Sequence, residues 1–399
     1  MDAAVAFRDD PDARRAAREA ATEAQASLAA GVADVALVFH TGALASEQVR
    51  DGLRDALGPA VPLLGGHAVG AITNDRFGYA GHELALGLIR GGGPRIAAEA
   101  PLGQGEAAVG AALGRELRTA ARSAAPLLLL YDSIHRTAAG MQLNMAAPLL
   151  AGLESALGQL PPVVGAGLAG DMQGSPTEQL AGEAVLQQAA LGLSFDATVA
   201  MEPVVLHGCQ PASDYMTVTR VDGATILELD HRPAVEVIRE RIGDALPPNR
   251  FGFFITLGVN LGDKWAPYDE AQYVNRLCLK SDRKRGGLIL FEADIEEGAE
   301  VQLMHRAIDV DDIAPRIDAA FAALGADRRP VFALYIDCAG RAAAYAGMDR
   351  EDARFVQQAV AGRVPLLGFY SGVEIGPVQG RSRPLDWTGV FCLFSVAAR

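Results

Sequence analysis

Short apolar runs alternate with amphipathic stretches along most of this chain. Residues 35–39 (Val-Ala-Leu-Val-Phe) form an apolar run of the kind a sheet buries on both faces. Ser46–Leu57 carries apolar residues at helical spacing, and residues 61–64 are apolar again. Strand, helix, strand is the grammar of an α/β layer. The same order returns at residues 126–131, 142–157 and 162–164, and once more at 330–336, 349–360 and 364–367. An Ala-rich segment, residues 12–28, predicts a helix before the first copy, stopping at Gly31.

The second strand of each copy runs into a similar phrase. The phrases begin Val61-Pro-Leu-Leu-Gly, Pro161-Pro-Val-Val-Gly and Val364-Pro-Leu-Leu-Gly, and each is followed by a Gly- or Pro-containing stretch and a β-rich segment (83–89, 184–195 and 389–396). Self-similarity of this kind implies duplicated structural units. Between the second and third copies the pattern changes. A hairpin is predicted over 216–229 with a turn at Asp222-Gly223, then a helix over 233–242 and strands at 251–257, 273–279, 287–291 and 301–304. Pro203 and Pro211 flank the break. The fold class expected is therefore α/β, with two domains of mixed β-sheets flanked by helices and internally repeated βαβ units, divided as 1–205 and 206–399.

Composition narrows the partners. Half of the 399 residues are hydrophobic (50%) and 21% are charged, enough to bury a large core. Lys and Arg number 35 against 49 Asp and Glu, a formal charge of −14 that repels phosphate backbones and anionic membranes. Neither nucleic acid nor a membrane is an expected partner. Cys209, Cys278, Cys338 and Cys392 form no CxxC pair, which fits a reducing compartment rather than a disulfide or structural zinc framework. Residues 1–18 mix acids and bases without the apolar core of a signal peptide, so a cytoplasmic location is expected.

Several phrases together resemble the FIST family, with an N-terminal FIST half followed by a FIST C-terminal half. They are Leu64-Gly65 to Ile72, Val163-Val164-Gly165 to Asp171, Leu227-Glu228-Leu229-Asp230 with Pro233-Ala234, and Gly298 to Met304. Asp337-Cys338-Ala-Gly-Arg341 and Gly368-Phe-Tyr-Ser-Gly-Val-Glu-Ile-Gly-Pro377 complete the set, which spans almost the whole chain in the family's order. The resemblance implies a sensory module that binds a small molecule and reports to a separate signalling partner, a histidine kinase or a cyclic-dinucleotide enzyme, alone or as a homodimer. Amino acids are the ligands proposed for the family, and some stand-alone members bind haem and sense nitric oxide. The sequence departs from the family pattern at Gly66-His67, Ala71 and Gly372-Val373, in loops expected to meet ligand.

Open α/β sheets bind ligands beyond the carboxyl ends of their strands, so polar residues there are the candidates. His40 and His67 follow apolar strands and His135 follows Tyr131. Together they read as a cluster able to hold a metal, haem iron or a carboxylate; singly, each reads more plainly as a partner of a loop carbonyl. Cys338 ends a strand and Arg341 follows it, a planar fork suited to a carboxylate. Cys338 itself reads as a packing residue, a thiolate ligand or a nucleophile; an enzyme using that thiol or a histidine-bound metal is the alternative class. Glu374, with Tyr370 nearby, suits a ligand ammonium, and Asp171 holds the equivalent place in the second copy. Both acids read equally well as acceptors of loop N–H groups. Gly165-Ala-Gly-Leu-Ala-Gly170 matches GxGxxG, but the residues after it read as loop, leaving no helix N-terminus to cradle a phosphate.

Overall fold

The structure, a computed structural model, describes residues 1–29, 31–118, 125–138, 140–243, 246–306 and 310–398. Three βαβ units each place two parallel strands side by side. Val35–His40 runs parallel to Leu63–His67, Leu127–Asp132 to Val163–Leu168, and Arg328–Cys338 to Leu366–Ser371. The crossover helices are Ser46–Leu57, Ala146–Leu157 and Asp352–Val360. Each parallel pair lies at the centre of a six-stranded mixed sheet.

The sheets are completed by exchange. The hairpin after the second strand of each unit leaves its own sheet and pairs with another. Gly70–Thr73 joins Leu366–Ser371, Gln179–Ala181 joins Leu63–His67, and Val373–Val378 joins Val163–Leu168. First donates to third, second to first and third to second, so the three units close a ring. The inner faces of all three sheets share one core. Leu37, Phe39, Leu128, Leu130, Leu334, Ile336 and Phe369 meet there, with Phe39 stacked on Phe369 at 3.9 Å between centroids. Alternate residues such as Ala36 and Val38 face outward under the helices, the period of two expected of strands covered on both sides.

The repeated glycine has a physical cause. Gly65, Gly165 and Gly368 occupy the same place in the three phrases, and a Cβ on each would strike the neighbouring strand's carbonyl, Val38 O at 1.9 Å, Leu129 O at 1.8 Å and Tyr335 O at 2.5 Å. No side chain fits there.

In the third unit the chain leaves the sheet after Ala200–Leu206, which pairs with Gly389–Ala397, and builds a separate eight-stranded sheet before Ile313–Ala323. Glu300–His305 pairs with both Met216–Asp222 and Thr256–Asn260, curling this sheet around a core that includes Val218, Ile238, Leu257, Cys278 and Leu303. We call it the insert. The 203–211 stretch, where a break was expected from Pro203 and Pro211, is where the chain passes from the third sheet to the insert.

Most predicted elements are present; the helices Glu106–Leu117 and Ile313–Ala323 were not expected, and other differences concern strands. Asp2–Asp9 is an edge strand on Glu83–Arg90; its charged ends disguise the short apolar run Ala3–Phe7 between them. Residues 142–157 are not one helix: Gly140–Leu143 pairs with Ile134–Thr137, and the helix starts at Ala146. Residues 251–255 do not extend the strand Thr256–Asn260; they turn, with Phe253 at φ 64°.

Candidate functional site

At the carboxyl ends of the parallel strands a cavity of about 460 Å³ opens between the three-unit body and the insert. Its volume is that of a small-molecule site. Val69, Ala169 and Gly372, the same place in the three phrases, all line it. Ser133 and Cys338–Gly340 come from the ends of the first strands in units two and three, and the insert supplies Phe253, Phe254, Leu277, Leu279 and Phe291. The mouth is apolar. Met141, Met172, Phe253 and Phe254 stand 47%, 49%, 55% and 52% exposed, large apolar side chains at one opening. Such a patch marks a binding surface.

The polar groups in this wall differ in how well they are satisfied. Asp171 accepts the N–H groups of Gln173 (2.8 Å) and Ser175 (3.1 Å), and its pKa is lowered: hydrogen bonds from this turn outweigh burial. Ser133 donates to Leu168 O at 2.7 Å. Asp386 accepts Leu277 N–H at 2.7 Å across the joint with the insert, and burial pushes its pKa up to about 6 although Arg276 opposes the shift. Arg306 donates to Phe253 O at 2.8 Å and lies over the Trp387 ring at 4.2 Å. Trp387 is held at φ 55°, a conformation a bulky residue keeps only when its surroundings enforce it, and its indole N–H has no hydrogen-bond partner.

Of the residues singled out in the sequence, Asp171 and Cys338 line the cavity. Burial pushes the Cys338 thiol well above the ordinary range, with the neighbouring Glu374 adding to it, so the sulfur is held as a protonated thiol. Arg341 lies behind it, fully buried. It grips Asp352 at 2.7 Å, sits 3.4 Å from Asp337, and donates to His207 O at 2.9 Å. Asp337, Asp352 and Glu351 lie close enough to share a cation, and the Arg341 guanidinium supplies that charge. Tyr370 donates to Glu351 at 3.0 Å in the same network. Glu374 accepts Ser371 Oγ at 2.8 Å and Thr388 N–H at 3.3 Å, and burial raises its pKa strongly. Arg341, Tyr370 and Glu374 thus support the cavity wall from behind.

His40 and His67 do come together, ring edge to ring face at 5.0 Å, but inside the first unit. His40 Nδ1 lies 3.1 Å from Thr41 O, and burial, reinforced by His67, depresses its pKa to about 3. His67 Nδ1 accepts Glu178 N–H at 3.2 Å, and burial lowers its pKa also. His135 packs toward Gly103. Among the described residues no histidine lines the cavity, so these three do not fit a haem held there. The turn after Gly170 contains no helix, and the GxGxxG phrase is a strand end.

Sequence reasoning missed Arg306, Asp386, Trp387, Phe253 and Phe254. The Phe-Gly-Phe-Phe run at 251–254 offered a signal, since its glycine and its dense aromatics suit a surface turn as well as a strand.

The fold is thus a ring of three exchanged units with a cavity on its strand-end face, closed by a β-rich insert. The FIST N domain model matches residues 5–232 and the FIST C domain model residues 234–377, and the chain belongs to the FIST family. FIST domains are generally regarded as small-ligand sensory domains of signalling proteins. Uncharacterized protein Mb0898c of Mycobacterium bovis is 28% identical over 234 residues, 58% of this chain and 60% of its own length. Uncharacterized protein Rv0628c of Mycobacterium tuberculosis matches to the same extent, 28% over 234 residues, so the chain spans about 60% of the length of these relatives. Among solved structures, a cyanuric acid hydrolase from A. caulinodans is similar over 100% of this chain and 99% of its own, at 12% identity and a TM-score of 0.39. Among the described residues no helix is long and apolar enough to cross a membrane.

Proposed function

We propose that this protein is a cytoplasmic sensor whose ligand occupies the cavity between the three-unit body and the insert, and whose state is read by a separate signalling protein such as a histidine kinase or a cyclic-dinucleotide enzyme. One observation carries the reading: the cavity wall is divided between two bodies of the same chain, with Val69, Ala169 and Gly372 on one side and Phe253, Phe254 and Phe291 on the other. A ligand in such a place touches both. It favours whichever arrangement of insert and body offers it more contact, and that difference in affinity is what a sensor needs.

The test uses N-phenyl-1-naphthylamine, a neutral fluorophore that brightens in apolar surroundings. Saturable binding of one equivalent, lost when Ala169→Phe fills the cavity in a variant that keeps its secondary structure, supports the reading. Equal binding by wild type and the filled variant contradicts it. A Soret band in the protein as isolated would favour haem sensing instead.

A further inference from the structure

Among the described residues of the cavity wall, Arg306 is the one cation, and no acid pairs with it. Asp171 accepts the Gln173 and Ser175 amides on one oxygen, and Asp386 accepts the Leu277 amide with Arg276 close by. The Arg306 guanidinium lies over the Trp387 ring at 4.2 Å and more distantly over Phe254 at 6.0 Å, and its hydrogen bond goes to an uncharged carbonyl, Phe253 O. Among the described residues no carboxylate lies within ion-pair distance of it. Burial lowers its pKa, yet an arginine stays protonated, so the cation persists in an apolar setting.

From this geometry we infer that the ligand is a hydrophobic carboxylate: an apolar body lying among Met141, Met172, Phe253 and Phe254, and a carboxylate pairing with Arg306. The inference rests on reading the cavity as the ligand site and adds its chemical class. A planar carboxylate matches the guanidinium fork, and Trp387 beneath the guanidinium holds that fork in place. Apolar burial supplies most of the affinity, and the carboxylate supplies selectivity over neutral and cationic molecules of equal length.

Decanoate, decanol and decylamine share one chain length and differ in charge. Each is titrated against N-phenyl-1-naphthylamine bound to the full chain at neutral pH. Decanoate should displace the fluorophore at a concentration about ten-fold or more below that of the other two. Arg306→Met should abolish that preference while still binding the fluorophore, and Arg306→Lys should restore part of it. If decanol or decylamine competes as well as decanoate, or if Arg306→Met keeps the preference, the carboxylate assignment falls while the cavity reading stands. If the fluorophore itself fails to bind wild type, both fall.

Discussion

Glu292, in the insert, places a carboxylate oxygen 2.8 Å from the backbone N of Ala146, the first residue of the helix Ala146–Leu157 in the body. Its other oxygen takes Ala147 N–H at 3.0 Å. That helix has no side-chain cap of its own, so the insert caps it from a distance. Asp386 reciprocates from the body to Leu277 of the insert. These two contacts flank the cavity and fix how its two walls meet.

Replacing Glu292 by Ala leaves one buried and one half-buried helix amide without acceptors, and the loss should be about 1–3 kcal/mol in a urea titration. An unchanged midpoint would mean that the contact is unimportant to the joint.

Glu292 also predicts a pH dependence. Burial pushes its pKa from 4.5 up to about 8, despite the two amides that favour the charged form. The folded state therefore holds a proton that the unfolded state releases, and this contribution is intact at low pH and lost as pH rises from about 4.5 through about 8. Asp386, raised to about 6, acts in the same direction. Glu292→Gln has no proton to lose at this position, so thermal melts should show it gaining on wild type across that interval. A constant difference between the two proteins would contradict the assignment.

Arg341→Met should be severe. It removes the cation from among Asp337, Asp352 and Glu351, all buried, and breaking a buried pair on one side costs about 3–5 kcal/mol. Chemical denaturation of the variant gives the figure directly; a loss below about 1 kcal/mol would show that those acids are compensated some other way.

All four cysteines are free and buried. Iodoacetamide should label none of them appreciably in the native protein and all four in urea. Rapid native labelling of Cys338 would revive the nucleophile reading, because burial holds its thiol well above the ordinary range here.

The repeats were legible because strand, helix and strand each carry a local signature, and because Gly65, Gly165 and Gly368 are fixed by a close approach that no side chain survives. The exchange of hairpins was not legible. Gly70–Thr73 reads equally well as a neighbour of its own strand, and only packing sends it to Leu366–Ser371. The same limit applied to the site. Cys338 and Asp171 stand at strand ends that the periodicity marks, and both reach the cavity. Arg341, Tyr370 and Glu374 stand nearby in sequence, but their side chains turn away from the cavity to Asp352, Glu351 and Thr388, partners 11, 19 and 14 residues away that only the packing selects. Arg306 and Trp387 meet only because the insert folds back over the third unit, a contact with no local signature.

The most direct test of a ligand held between insert and body is amide hydrogen exchange with and without saturating N-phenyl-1-naphthylamine. The account predicts slower exchange at Phe253–Ile255 in the insert and, in the same samples, at Ala146–Ala147 and Gly372 in the body. Protection confined to one of the two bodies, or none at either, would contradict it.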